Sequence, residues 1–414
     1  MRLRVGLLIA ALVAAVLTRA LLPSDPAPDE PDDRGTLTGR EDRSQGQPRQ
    51  TSDGEAGEIA AEVPPYLRLK PRVSNERTWR IAPGVQFRRW DQTDARGQIR
   101  AYLATIDPSN PGVSVDYASN ALIPDRGTLT ELLARDQAVV GINGGFFDIY
   151  DTGAPLGVGQ DLQRGFLHAS RYTWNNAFFI DASGRPSIGV MPMDTQILEY
   201  PQMELANVNS PRARAGAIGV WDPAWGSTAG YSLTDGQKRD VRMVVIEDDR
   251  VVATTTDLSS GQAITSTVLI GRGYGAEQLS QLRVGARATL EWRLAKDPAF
   301  AISGESILLR KGSIAVSDDR ILHPRTAVGI DRDTGRILLL VIDGRQSHSR
   351  GYTLVELARL MRSLGAETAL NLDGGGSTTI AGLTRTKVFA VLNKPSDGAQ
   401  RQIADGIAVT YAAP

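Results

Sequence analysis

The alternation of apolar and polar residues along the chain predicts many short strands and a few helices. Period-two patterns in IRAYLATID and GVSVDYA, separated by the turn PSNPG, indicate two strands. From Thr128 onward three leucines recur at helical spacing, so TLTELLARD predicts a short helix capped by Thr128 or Thr130. A buried-strand pattern, AVVGI, follows this helix and ends at NGGFFD.

Later segments continue the mixture of strands and helices. Residues from about 176 to 320 show mostly strand patterns, among them NAFFID, RMVVIEDDRVVAT, ATLEWRL and SILLRKG. The nearly continuous apolar run RILLLVID predicts a strand in the centre of a sheet. Thr353 is the predicted cap of a helix over LVELARLMRSLG, which Gly365 ends, and ETALNLD is the next strand.

This strand–helix–strand succession predicts a βαβ unit whose two strands are parallel. We therefore predict a mixed α+β or α/β fold, with a central mixed sheet, flanking helices and a C-terminal βαβ unit. The two strands of this βαβ unit end at Asp343 and Asp373, each of which is followed by glycine. Because parallel strands finish at one edge of a sheet, where ligands bind, we expect the two carboxylates to be close. Two aspartates that only cap turns are the alternative, since Asp-Gly is a common turn pair.

The segment ALNLDGGGSTT has the composition expected for the floor of a binding site. Glycines carry no Cβ, so a ligand can approach the backbone there, and the hydroxyls that follow can hydrogen-bond it. A tight turn with nothing bound is the alternative. The residues concerned are Gly374, Gly375, Gly376, Ser377 and Thr378.

An earlier segment repeats this pattern. TLTELLARDQAVVGINGGFF and TLVELARLMRSLGAETALNLDGGGS each contain a helix pattern, an apolar strand, an asparagine and a glycine pair. A duplication would bring the two turns together around one pocket, although short similarities also arise by chance. Asn143 and Asn371 are candidates to bind the ligand of this pocket or, alternatively, ordinary turn formers, and Gly144 and Gly145 line the first turn.

The composition of the chain excludes several classes of ligand and active site. The chain has 414 residues, 41% hydrophobic and 22% charged, which is typical of a globular protein. Its net charge of −1 provides no basic field for nucleic acid. The absence of cysteine excludes disulfides, thiolate metal sites and a cysteine nucleophile. Only three histidines occur, so a zinc site built from several of them is not expected.

The N-terminal residues indicate export. Arg2 and Arg4 precede an apolar run from Val5 to Leu17, a pattern typical of a secretory signal or a membrane anchor, which we assign to residues 1–22. Residues 23–63 are poor in large apolar residues and predict a disordered linker. The folded domain is then 64–414, with 64–120 as a candidate N-terminal β subregion. We expect an extracellular or envelope-associated protein that meets the membrane only through its N-terminal segment.

Four segments occur together in order: GINGGFFD, HPRTAVGID, VIDGRQSHSRGYTLVELARLMRSLGAETALNLDGGGSTT and VLNKPSDGAQRQIADGIAV. In this combination the chain resembles the phosphodiester glycosidase family. The resemblance implies hydrolysis of a sugar that is linked through its anomeric carbon to a phosphodiester. One departure is Gln400 before Arg401, where many members of the family have glutamate.

The residue inventory suits such a reaction. Glycoside hydrolysis needs carboxylates at the anomeric carbon, and Asp343 and Asp373 are the candidates. A phosphate monoester leaves with little protonation, so its charge must be neutralised, and guanidinium groups match phosphate oxygens. Arg325, Arg345 and Arg401 are the candidate clamps, with structural ion pairs as the alternative.

Two other classes of protein fit the same residues. A metal-dependent phosphodiesterase would cut the P–O bond, with aspartate and asparagine oxygens holding Mg²⁺ or Ca²⁺. A non-catalytic carbohydrate-binding protein of the envelope would have the same pocket and no turnover. A glycan or sugar phosphodiester is the expected ligand of the hydrolase. The sequence establishes no cofactor for it, and a divalent cation, Ca²⁺ or Mg²⁺, is the candidate.

Overall fold

Strands dominate the computed structural model, which describes residues 57–67 and 70–414. In this part of the chain the helices are α1 (Leu129–Arg135), α2 (Tyr274–Leu279) and α3 (Leu354–Ser363). The strands are, in chain order, β1 (Glu58–Ile59), β2 (Arg72–Ala82), β3 (Val85–Asp94), β4 (Gly97–Ile106), β5 (Val113–Ser119), β6 (Val140–Asn143), β7 (Gly159–Asp161), β8 (Gly165–Ser170), β9 (Asn176–Ile180), β10 (Pro186–Val190), β11 (Met193–Ile197), β12 (Leu205–Val208), β13 (Ile218–Trp221), β14 (Ser227–Ala229), β15 (Val241–Glu247), β16 (Arg250–Thr255), β17 (Ser260–Ala263), β18 (Thr267–Arg272), β19 (Leu290–Leu294), β20 (Phe300–Ser303), β21 (Ile307–Arg310), β22 (Ser313–Ile314), β23 (Ile321–Leu322), β24 (Arg325–Asp331), β25 (Arg336–Ile342), β26 (Thr368–Asn371), β27 (Ile380–Leu383), β28 (Phe389–Val391) and β29 (Asp405–Tyr411).

Three larger sheets organise these strands. An eight-stranded sheet has the order β2-β3-β4-β25-β24-β26-β21-β22, and a five-stranded sheet has the order β28-β27-β6-β29-β5. A ten-stranded sheet has the order β10-β9-β20-β7-β8-β12-β13-β18-β15-β16. Every pairing within the eight-stranded and five-stranded sheets is antiparallel.

The predicted mixed α+β or α/β fold is therefore wrong, because the described chain is mostly β. The βαβ unit was inferred from chain order, but β25 and β26 do not pair with each other. Strand β24, Arg325–Asp331, lies between them and is antiparallel to both. The sequence from 325 to 331 is a third apolar strand whose place in the sheet is not visible from its position in the chain.

Strand β25 is almost continuously apolar because both of its faces are buried. Its residues alternate between two hydrophobic clusters, with Leu339 in the cluster between the sheets and Leu340 in the cluster under α3. A side-chain period of two places successive residues on opposite faces, so a strand covered on both faces needs apolar residues throughout. This burial fixes the register of β25 and with it the position of the residue that follows, Asp343.

Each helix covers the outer face of one sheet. The buried leucines of α1 pack with residues of the five-stranded sheet, and Leu279 at the end of α2 packs with the ten-stranded sheet. Leu357 and Met361 of α3 pack against the eight-stranded sheet. The main core, which includes Phe87, Ile142 and Phe300, is shared by strands from all three sheets.

The predictions for residues 1–56 lie outside the described residues. Within the predicted linker, Glu58–Ile59 pairs with Ile321–Leu322 in a two-stranded sheet. Among the described helices, none has the length and apolar character that a membrane crossing requires.

Candidate active site

The two predicted carboxylates follow strands that end at the same edge of the eight-stranded sheet. Ile342 lies opposite Arg325, and Leu372 donates its N–H to the carbonyl of Thr326, so both strand ends flank the beginning of β24. Adjacent strands are spaced by roughly 4.8 Å, which places the two strand ends about 10 Å apart. Both aspartates are 1% exposed. The expectation that chain folding brings them to one edge is met, although a strand separates them.

The two glycine turns predicted to line the site are joined directly. The N–H of Asp373 donates to the carbonyl of Gly144 over 3.0 Å, and the Asn143 side-chain amide donates to the carbonyl of Asp373 over 2.7 Å. The Asn143 side-chain oxygen accepts from the Thr326 hydroxyl and the Thr379 N–H. Asn143 thus fastens the end of β6 to the turn after β26, and both its amide atoms serve that purpose.

Asp343 is held by four hydrogen-bond donors. Its Oδ1 accepts from the Asn393 amide (3.1 Å) and the Lys394 N–H (3.2 Å). Its Oδ2 accepts from the Tyr102 hydroxyl (2.9 Å) and from Nε2 of His348 (3.2 Å). Burial raises the pKa of Tyr102, so its phenol stays protonated and donates. Because a carboxylate offers about four lone pairs, these donors fully occupy Asp343.

The end of β26 and the turn after Asp373 carry polar atoms that are buried and, in the described part of the chain, make no hydrogen bond. They are Oγ of Ser377, Oγ1 of Thr378 and Oδ1 of Asn371. Buried hydroxyl and amide oxygens normally have partners, so a group of three near one turn points to a ligand or ordered water that fills these positions. The Asn371 amide nitrogen lies 3.4 Å from Oε2 of Glu305, a residue to which the sequence assigned no role.

The three arginines surround this edge and each is anchored by the protein. Nε of Arg325 donates to the carbonyl of Tyr352 over 2.9 Å. Nη2 of Arg345 lies 2.9 Å from Nδ1 of His323, and its backbone has a positive φ of 56°. Arg401 pairs with Asp397 at 2.7 Å, and its guanidinium fills the space that a Cβ on Gly376 would need.

A buried polar chain supports the first glycine turn and was missed by sequence reasoning. The N–H of Gly145 donates to Oδ1 of Asp405 (2.7 Å), and the Tyr117 hydroxyl donates to its Oδ2 (2.6 Å). His168 lies 2.8 Å from that hydroxyl. Burial raises the pKa of Asp405 to about 6 and lowers the pKa of His168 to about 4. The sequence signal was weak, because an aspartate at a strand start and an isolated histidine carry no motif.

No group of three or more histidine or acidic side chains that could hold a metal ion occurs within residues 57–67 and 70–414.

The structure also shows the contacts of Gln400, the residue that departs from the family pattern. Its side chain accepts from the Thr130 N–H and donates to the Thr130 hydroxyl, at the first turn of α1. In this protein the residue therefore ties the segment before Arg401 to a helix.

Residues 219–410 match the family model described as phosphodiester glycosidase. This C-terminal part of the chain is assigned by the match to the phosphodiester glycosidase family. The matched region contains Asp343, Asp373 and all three arginines, whereas Asn143 and its glycines lie before it.

Curated proteins resemble this chain over limited segments. The mouse N-acetylglucosamine-1-phosphodiester alpha-N-acetylglucosaminidase is 30% identical over 154 residues, which cover 33% of this chain and 27% of the mouse protein. An uncharacterized SPbeta prophage-derived protein of Bacillus subtilis, YomE, is 34% identical over 95 residues, 23% of this chain and 14% of that protein. The chain thus matches well under a third of each curated relative's length.

The fold also occurs in a solved structure. A hypothetical protein from Synechocystis superposes with a TM-score of 0.68 at 22% identity, over 82% of this chain and 64% of that chain. At this identity the similarity shows a common fold and carries no statement about activity.

Proposed function

We propose that this glycosidase-type hydrolase cleaves a sugar-1-phosphodiester at the glycosidic C1–O bond. The observation that carries the proposal is the joined pair of glycine turns, which presents Asp373 beside buried, unpartnered oxygens of Ser377 and Thr378. A polar ligand with several oxygens would satisfy these atoms. The named activity of the mouse relative, on an N-acetylglucosamine-1-phosphodiester, supports the same substrate class.

The expected chemistry follows from the leaving group. A phosphate monoester has a second pKa near 6, so it departs without strong protonation. The site must then neutralise charge, for which Arg325, Arg345 and Arg401 stand around the strand ends. Asp373, which the joined turns place beside the unpartnered hydroxyls, would act at the anomeric carbon.

Product analysis in ¹⁸O-labelled water tests the proposal. Cleavage of C1–O places the label in the sugar, whereas cleavage of P–O places it in the phosphate. Label in the phosphate, together with loss of activity in a chelator, would instead identify a metal-dependent phosphodiesterase. Sugar binding without any product at high protein concentration would identify a carbohydrate-binding protein.

We also propose that the protein acts outside the cytoplasmic membrane, on a glycan of the envelope or the extracellular space. The support is the N-terminal pattern of Arg2 and Arg4 before an apolar run. Intact cells that express the protein should hydrolyse a membrane-impermeant sugar phosphodiester as fast as lysed cells. Activity that appears only after lysis would contradict the proposal.

A further inference from the structure

His348 is a partly exposed side chain that contacts the buried carboxylate of Asp343. The Asp343 side chain is 0% exposed, and the His348 side chain, 3.2 Å away, is 20% exposed. The remaining donors to Asp343 are the buried Tyr102 hydroxyl, the Asn393 amide and a backbone N–H. A histidine whose ring is oriented by a buried carboxylate is the arrangement that prepares an imidazole for proton transfer.

The hydrogen bonds also determine which ring nitrogen is available. As a carboxylate, Asp343 can only accept hydrogen bonds. The proton of this contact therefore lies on Nε2 of His348, which donates it to Oδ2 of Asp343. In neutral imidazole the other nitrogen, Nδ1, then has the lone pair. Within the described residues Nδ1 makes no hydrogen bond, which leaves it able to accept a proton.

Asp343 and His348 are connected to the turn that carries the unpartnered hydroxyls. The Asn393 amide donates both to Asp343 and to the carbonyl of Thr378 (3.0 Å). The loop that holds His348 is closed by hydrogen bonds between Gln346 and Ser349, and the Ser349 hydroxyl donates to the carbonyl of Asp343. The ring is therefore fixed relative to the strand end and to the turn after Asp373.

We propose that His348 is the general base of the reaction and that Asp343 is its positioning residue. This inference rests on the proposed function. Nδ1 of His348 takes a proton from the attacking water as the water oxygen bonds to C1. The C1–O bond breaks with its electron pair remaining on the leaving phosphate monoester, and the imidazolium then releases its proton to solvent. The carboxylate of Asp343 holds the Nε2–H tautomer and stabilises the imidazolium.

The test compares three variants of the full chain on a sugar-1-phosphodiester. His348→Gln keeps a donor for Asp343 and removes the base, so kcat should fall by about 10²-fold or more with KM little changed. Tyr102→Phe removes a different donor from the same oxygen and keeps the base, so its loss of kcat should be much smaller. Equal losses in the two variants, or a His348→Gln variant with near wild-type kcat, would overturn the proposal. Circular dichroism and the melting temperature check that each variant is folded.

Chemical rescue separates a base from a structural side chain. His348→Gly should regain kcat when imidazole is added, and the rescued rate should rise with the basicity of substituted imidazoles of similar size, as general base catalysis requires. Rescue that is independent of basicity would indicate that the ring only fills space. If the wild-type protein turns over no sugar phosphodiester, the proposed function fails and the role of His348 fails with it. If the wild type is active and only the rescue fails to follow basicity, the function stands and the base assignment falls.

Discussion

At the scale of single residues, the two strand-end aspartates differ in what surrounds them. Asp343 accepts four hydrogen bonds from named donors. Asp373 is connected through its backbone to Gly144 and Asn143, and it precedes the turn with the unpartnered hydroxyls. Identical Asp-Gly pairs in the sequence therefore have different surroundings, because tertiary neighbours decide which groups each aspartate contacts.

Asp373→Asn should lower kcat by about 10²-fold or more, because it removes the charge beside the anomeric carbon while the shape is kept. Steady-state kinetics on a sugar phosphodiester measure the effect. Asp331→Asn is the matched control, since this aspartate ends the neighbouring strand β24 at the end of the sheet opposite to the site. The control should stay within about twofold of the wild type. Turnover by Asp373→Asn at the parent rate would show that the carboxylate is not in the site.

Gly376→Ala tests the placement of Arg401. A Cβ at this position would meet the ends of the Arg401 and Asp397 side chains, which are flexible enough to move away. We expect kcat/KM to fall by about 10²-fold, the scale of one lost transition-state donor, with little change in melting temperature. Gly189→Ala, where a Cβ meets nothing within 4 Å, is the control. Unchanged kcat/KM would place Arg401 outside the phosphate site.

At the scale of elements, the two helices with similar sequences have the same capping arrangement. Thr128 and Thr353 each accept from the backbone of a glutamate three residues later, whose side chain returns to the cap. Thr353 is 0% exposed, and its hydroxyl also donates to Asp319 over 3.0 Å. The caps therefore share a local motif and differ in tertiary contacts.

Thr353→Ala should cost about 2 kcal/mol of unfolding free energy, and Thr128→Ala about 1 kcal/mol, the usual range for a lost N-cap. The larger loss expected for Thr353→Ala reflects its hydrogen bond to Asp319, because the substitution removes one donor from that carboxylate. Urea unfolding of the two variants gives the comparison. A larger loss for Thr128→Ala would mean that the local cap, and not the tertiary contact, governs helix stability here.

At the scale of the whole molecule, the chain from His168 through Tyr117 to Asp405 connects two sheets. His168 lies on β8 of the ten-stranded sheet, and the other two residues lie on strands of the five-stranded sheet. His168 also contacts the carbonyl of Gly157 at 2.9 Å. Its pKa is lowered to about 4 because burial disfavours the charged ring.

This lowered pKa predicts a pH dependence of stability. Between about pH 6.5 and 4 the unfolded chain binds a proton at His168 that the folded protein does not bind. The contribution of His168 to the free energy of unfolding is therefore fully present above pH 6.5 and is lost as the pH falls through this interval. The unfolding free energy of the wild type, relative to His168→Gln, should fall by about 3 kcal/mol across this interval. Asp405 contributes with the opposite sign, since its raised pKa favours the folded state at low pH, and it cancels in the comparison. A difference that stays constant with pH would show that folding does not lower the pKa of His168.

The sequence by itself determined the elements and the motif residues. The strands around IRAYLATID, GVSVDYA and RILLLVID, the helices after Thr128 and Thr353, and the glycine turns all occur where their local patterns place them. Apolar periodicity, caps and glycines act over a few residues, so they can be read from the chain directly. The same motifs also indicated the phosphodiester glycosidase family, which the match over residues 219–410 supports.

Only the tertiary structure decided the fold class and the partners within the site. The insertion of β24 between β25 and β26 depends on hydrogen bonds between segments far apart in sequence, and local periodicity contains no information on pairing order. The same holds for the four donors to Asp343, which come from residues 102, 348, 393 and 394. The support that Asp405 gives to the first glycine turn likewise depends on Tyr117, which the sequence places 288 positions away.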